Sequence, residues 1–179
     1  MDILNILDIV DIFFIILFHF YVSPVMLEKA TFAAGCFWGV EEAFHSTGRV
    51  LKTVVGYTGG SSASSPSYEQ VCTGRTGHAE AVEILYDSAS ISYPELLGIF
   101  WKCHDPTQLN RQGPDIGTQY RSAIFYHNEQ QKRQAESSKI ELQNTKSIVT
   151  VIEPAGQFYP AEEYHQQYLQ KNKLKSCHL

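Results

Sequence analysis

Cys36 stands where a short apolar run, Ala30 to Ala34, gives way through Gly35 to a segment whose apolar residues Phe37, Val40 and Phe44 recur at helical spacing. A cysteine at a helix N-terminus meets unpaired backbone N–H groups and the positive end of the helix dipole. Both favour the thiolate, the nucleophilic form of the residue. Cysteine is also a small residue that is commonly buried for packing alone, and position by itself leaves these two readings level. Glu80 is the second candidate. It falls in an alternating segment, Ala79 to Tyr86, on the same face as Val82 and Ile84, whereas Glu83 shares the other face with Ala81 and Leu85. A carboxyl set against an apolar sheet surface is desolvated, its pKa rises, and it can act as a general acid near neutral pH. The competing reading is a strand-end carboxylate turned to solvent.

Two tyrosines, Tyr68 and Tyr120, each fall at the edge of a loop beside a short regular element, where a phenol can both pack and donate a hydrogen bond. In a chain with 10 tyrosines, ordinary packing explains either one taken singly. Phe37 and Trp38 flank Cys36 and would make an apolar wall beside a nucleophile, or simply core. His45, His78, His104 and Cys103 lack the paired spacing of a metal site, and Gly56, Gly59 and Gly60 do not make a phosphate-binding GxGxxG loop. No metal or organic cofactor is expected.

The elements that would hold these residues alternate between short strands and amphipathic helices. Strands are expected at 30–34, 50–57, 79–86, 121–126 and 148–153, and helices at 38–45, 93–104, 129–144 and 161–171. A short helical turn is expected near Tyr68 to Thr73. Ser92 and Glu95 form a capping box at the start of the second helix. Residues 105–119 hold prolines and glycines without periodicity and read as a long loop, a type that is often functional. The order β-α-β-β-α-β, followed by α-β-α, predicts an α+β two-layer sandwich with a ferredoxin-like split βαβ core and a mixed sheet.

The 179 residues suit one domain, and a net charge of −5 disfavours nucleic acid. The four cysteines form neither a CxxC pair nor a disulfide framework, which suits a reducing compartment, so a cytoplasmic monomer is expected. Residues 1–25 differ from the rest. Ile3 to Val22 is mostly apolar, but Asp8 and Asp11 interrupt it and no Lys or Arg precedes Lys29, so it has no secretory n-region. It reads as an extension outside the fold, with a membrane anchor as the alternative. Residues 26–171 would then be the functional domain and 172–179 a tail.

With these residues in place, GCFWG at 35–39 resembles the signature of the A-type peptide methionine sulfoxide reductases. YEQVCTG at 68–74, GHAEAV at 77–82 and HDPTQLNRQGPDIGTQYRS at 104–122 are similar to further segments of that family in the same order. The resemblance implies Cys36 as nucleophile, Glu80 as acid, Tyr68, Tyr120 and Asp115 as active-site partners, and Phe37 and Trp38 as the site of the substrate methyl group. It also implies that oxidised proteins and methionine S-sulfoxide are substrates, that Cys36 becomes a sulfenic acid, and that thioredoxin or another dithiol restores it. Near the C-terminus many members carry a recycling cysteine in a glycine-rich stretch. Here KNKLKSCHL keeps Cys177 without the glycines, and Cys72 competes for the role. Two other classes remain open: an acyl-transfer hydrolase with His45 or His78 as base, and a non-catalytic peptide-binding module.

Overall fold

The computed structural model describes residues 25–61 and 65–174. Expectations for residues 1–24, and for Cys177, lie outside the described residues. Strand β1 (Leu27–Ala34) leads through Cys36 into helix α1 (Phe37–His45) and then to β2 (Lys52–Thr58). The short helix α2 (Tyr68–Cys72) precedes β3 (Ala79–Asp87) and helix α3 (Tyr93–Cys103). A small hairpin follows, β4 (Arg111–Gln112) with β5 (Asp115–Ile116). A 3-10 turn, Thr118–Tyr120, then leads into β6 (Ser122–Tyr126). Helix α4 (Glu129–Gln143), β7 (Val151–Pro154), β8 (Tyr159–Pro160), a 3-10 turn at Glu163–His165 and the single helical turn α5 (Tyr168–Lys171) complete the chain.

The main sheet runs β7-β6-β1-β3-β2-β8, with only the β6–β7 pair parallel. Its four central strands carry two crossovers, β1-α1-β2 and β3-α3-β6, each stepping over one strand. That is the split βαβ arrangement of an α+β sandwich, and the sheet is mixed, as the element order predicts.

Period-two alternation decides what each face does. Phe32, Val82, Ile84 and Ile124 face the helices, where they meet Phe44, Leu96 and Phe100 in the main core. Phe32 lies among three rings, with centroids 5.3 Å from Phe44, 6.0 Å from Tyr93 and 5.2 Å from Phe100. The opposite face is paved with small residues, Ala33, Ala79, Ala81 and Ala123, beside Phe125, and Ala155 and Phe158 close over it. Small side chains let an irregular segment lie against the sheet. At Gly56 a Cβ would run into the Tyr159 carbonyl and the Phe158 ring, so β8 can pair with β2 only because that position is glycine.

Two expectations need correction. The final helix expected at 161–171 is a 3-10 turn and one helical turn, separated by Gln167 in the left-handed region (φ 52°). Tertiary hydrogen bonds outweigh helix propensity there. Gln166 answers both backbone groups of Val55, accepting its N–H at 2.9 Å and donating to its carbonyl at 2.9 Å. Gln167 N–H donates to the buried Glu41 at 2.7 Å. The strand expected from Ile148 begins only at Val151, since Val149 N–H is taken by the Pro106 carbonyl. Among the described residues no helix is long and apolar enough to cross a membrane.

Candidate active site

Gly35 makes the site possible. Its φ of +92° turns the chain from β1 into α1 in a region that residues with a Cβ rarely adopt, and a Cβ there would lie 2.7 Å from Cβ of Gln112. The β4–β5 hairpin therefore rests directly against the backbone next to Cys36. Cys36 is the N-cap of α1 and is partly exposed. The first N–H of the helix, at Phe37, donates to Glu80 Oε2 at 3.0 Å, which ties the carboxyl to the residue next to Cys36.

Glu80 is 1 % exposed, and the register of β3 on β2 sets it opposite Tyr57. It belongs to the helix-side face with Val82 and Ile84, so the solvent-facing alternative is ruled out. Burial is the main reason its pKa is pushed up to about 8, with the charges of Cys36 and Asp115 adding to it; the Phe37 N–H acts in the opposite sense. A buried acid that still holds its proton at neutral pH thus adjoins a sulfur at a helix N-terminus.

The remaining residues expected at the site gather around this pair. Tyr120 ends the 3-10 turn after the hairpin. Its phenol is held neutral first by burial and then by the charges of Glu80 and Asp115. Tyr68 opens α2, and burial likewise keeps its phenol protonated, with the neighbouring Cys72 acting in the same sense. Both phenols are therefore donors at any pH near neutral. Asp115 sits on β5 opposite Gln112. The Gln112 amide is pinned by Asp105, accepting its N–H at 3.1 Å and donating to its carbonyl at 3.0 Å. The loop expected at 105–119 is thus a cross-linked platform that contains a hairpin.

Phe37 is buried against Tyr57, with ring centroids 6.0 Å apart. Trp38 stacks on Tyr168 at 3.8 Å with an interplanar angle of 11°, and its indole N–H donates to His165 Nδ1 at 3.1 Å. Glu162 accepts from the Tyr57 hydroxyl at 2.9 Å and from the Tyr68 N–H at 3.0 Å, tying α2 to the site. Glu162, His165 and Tyr168 were not singled out from the sequence. The signal available was their mixed acidic and aromatic character, which fits no single buried stripe on the helix expected there.

Other sulfurs and histidines are placed elsewhere. Cys103 lies on α3, bonded to the Phe100 carbonyl, and burial pushes its thiol up to about 12. His45 is in the last turn of α1, nine residues and roughly 13 Å along the axis from Cys36, and pairs with Gln170. His78 packs against Gly60 and Tyr159. The hydrolase reading thus finds no base for Cys36 in His45. Among the described residues no three His, Cys, Asp or Glu side chains converge as a metal site would require.

Comparison with known proteins bears on this geometry. The family described as Peptide methionine sulfoxide reductase matches residues 28–179. The chain is 58% identical over 156 residues to the Peptide methionine sulfoxide reductase MsrA of Methanothermobacter thermautotrophicus, covering 85% of this chain and 92% of the relative. It is 56% identical over 155 residues to that of Geobacter sulfurreducens, covering 84% and 95%. Among solved structures, reduced Mxr1 from Saccharomyces cerevisiae superimposes with a TM-score of 0.80 at 41% identity, covering 87% of this chain and 91% of that one. Mxr1 in complex with Trx2 aligns with a TM-score of 0.58 at 29% identity, covering 82% and 87%.

Proposed function

The chain belongs to the peptide methionine sulfoxide reductase family, and from that premise we propose that its Cys36 thiolate attacks the sulfoxide sulfur while Glu80 delivers a proton to the sulfoxide oxygen. The enzyme reduces methionine sulfoxide in peptides with thiol reductants, thioredoxin among them. The S epimer is the substrate form of A-type members. The observation that carries the assignment of roles is the 3.0 Å bond from Phe37 N–H to a Glu80 carboxyl that is 1 % exposed, because it couples the acid to the residue next to the nucleophile.

Attack by the thiolate forms an S–S bond to the substrate, and proton transfer from Glu80 turns the sulfoxide oxygen into a hydroxyl. Tyr68 and Tyr120 donate hydrogen bonds to that oxygen as its charge develops. Transfer of the hydroxyl to Cys36 breaks that S–S bond and the substrate S–O bond, releases methionine and leaves a sulfenic acid. Phe37 and Trp38 take the S-methyl group, and Asp115 acts on the electrostatics of Glu80 and Tyr120. A second thiol then condenses with the sulfenic acid to a disulfide and water, and an external dithiol reduces the disulfide by exchange. Cys177 is the candidate second thiol and Cys72 its competitor. We further assign residues 26–171 as the reductase domain, 1–25 and 172–179 as segments outside it, and the cytoplasm as its compartment.

The test is incubation with a methionine sulfoxide peptide and dithiothreitol, followed by mass spectrometry. The peptide should lose the mass of one oxygen atom, and Cys36→Ser should abolish the loss, since a hydroxyl is a far weaker nucleophile at this position. Substantial turnover by Cys36→Ser would refute the assignment.

A further inference from the structure

His165 is 2 % exposed, and its ring centroid lies 5.2 Å from Phe37, 5.6 Å from Trp38 and 4.5 Å from Tyr68. Nδ1 accepts the Trp38 indole N–H, so in the neutral ring the proton sits on Nε2. Nε2 has no hydrogen-bond partner among the described residues. Leucine or phenylalanine would suit these aromatic surroundings without leaving a buried N–H unanswered, so packing does not account for a histidine here. The bond from Trp38 does. The indole is restrained in two independent ways. The Tyr168 ring lies flat against it, a contact that would survive sliding or a flip of the indole. The bond to Nδ1 would not survive either motion, because only one point of the indole edge carries the N–H.

We propose that His165 is a positioning residue for Trp38, holding the indole N–H so that the wall of the methyl site has one orientation, and that it thereby sets affinity for methionine sulfoxide and leaves the chemical step alone. This rests on the reading of Trp38 as part of the methyl site. Protonation of His165 would place an N–H on Nδ1, opposed to the indole N–H, and break the bond. The Glu162 and Glu69 carboxylates favour the cation, and the Tyr68 and Tyr164 rings pack against the imidazole. Burial outweighs the carboxylates and lowers the histidine pKa. The bond is therefore intact at neutral pH, and KM should rise as acid titrates His165.

Steady-state and single-turnover kinetics with a methionine sulfoxide peptide test this, alongside the indole N–H resonance of Trp38 by NMR. His165→Leu should raise KM about tenfold with the saturated single-turnover rate changed less than about threefold. His165→Asn, whose amide oxygen replaces Nδ1 as acceptor, should restore KM to within about threefold of wild type. In the wild type, KM and the Trp38 indole resonance should move together as pH falls, and in His165→Asn neither should. A wild-type KM in His165→Leu, or an acid-dependent KM in His165→Asn, overturns the proposal. If His165→Leu does not fold, the comparison of wild type with His165→Asn decides. A wild-type protein that leaves the sulfoxide intact would refute the reductase reading, whereas an active wild type with a pH-independent KM refutes the role of His165 alone.

Discussion

At the scale of single residues, the acid and the nucleophile depend on opposite environments. In the proposed roles, Cys36 draws on a helix N-terminus at a partly exposed position, and Glu80 keeps its proton because it is buried in the core. The sign of the resulting pH dependence follows. Glu80 is protonated below its raised pKa of about 8, so its contribution to the rate is whole at neutral pH and is lost as pH rises through that value. Glu80→Gln should lower the rate of sulfoxide reduction by about 10²-fold or more and remove the alkaline limb of its pH profile. A stopped-flow series from neutral to alkaline pH checks both effects. An alkaline limb persisting in the variant would move the acid to another group. The candidate pair was legible in the sequence because it depends on local pattern: a cysteine after a strand-ending glycine, and a glutamate in phase with Val82 and Ile84. His165 and Glu162 were not, because their partners Trp38, Tyr57 and Tyr68 lie about a hundred or more positions away and no periodicity records such a contact.

At the scale of elements, the strand-to-helix turn at Gly35 is fitted to the hairpin that carries Asp115. Gly35→Ala would set a Cβ in a left-handed backbone region and against Gln112 at once. It should cost about 1–3 kcal/mol of stability and displace the hairpin, lowering kcat/KM at least about tenfold. Urea unfolding and peptide kinetics measure the two, and a variant with wild-type activity would show that the hairpin's seat is unimportant. Strands β1, β2, β3 and β6 and helices α1, α3 and α4 follow from periodicity and caps, as at Ser92 and Glu95. The β4–β5 hairpin and the segment after Ala161 do not. The hairpin strands are two residues long and held by amide side chains. In AEEYHQQYLQK, strong helix formers are overruled by Gln166 and Gln167 bonding to β2 and Glu41.

At the scale of the whole molecule, α3 is joined to the sheet through a buried polar chain. His104 Nδ1 donates to the Phe100 carbonyl at 2.8 Å, and its Nε2 faces the Ser122 hydroxyl at 2.7 Å, which in turn meets Thr150 at 2.7 Å. Nδ1 holds a proton, and in the neutral ring Nε2 accepts from the Ser122 hydroxyl. Burial pushes the His104 pKa down to about 4. The folded-state value is depressed, so this contribution to stability is whole above the unfolded value of about 6.5 and is lost as pH falls toward 4, at about 1.4 kcal/mol per unit. Urea midpoints measured across that window should fall, and His104→Gln should flatten the slope by one proton; an unchanged slope would assign the acid sensitivity to other groups. The bond pair between Gln166 and Val55 has a further consequence, for how the molecule behaves in company. β8 pairs with β2 at Gly56 and Tyr57, and the Ala161 N–H adds a bond to the Val55 carbonyl at 2.9 Å, so from the Val55 N–H onward the β2 edge would offer a margin on which another chain could add a strand. The Gln166 amide takes the Val55 N–H, shares the Val55 carbonyl with Ala161, and lends no backbone to extend the ladder. It ends the sheet as a side chain, which no incoming strand can copy. Gln166→Ala should therefore bring concentration-dependent self-association, visible by sedimentation velocity, before it brings any loss of catalysis.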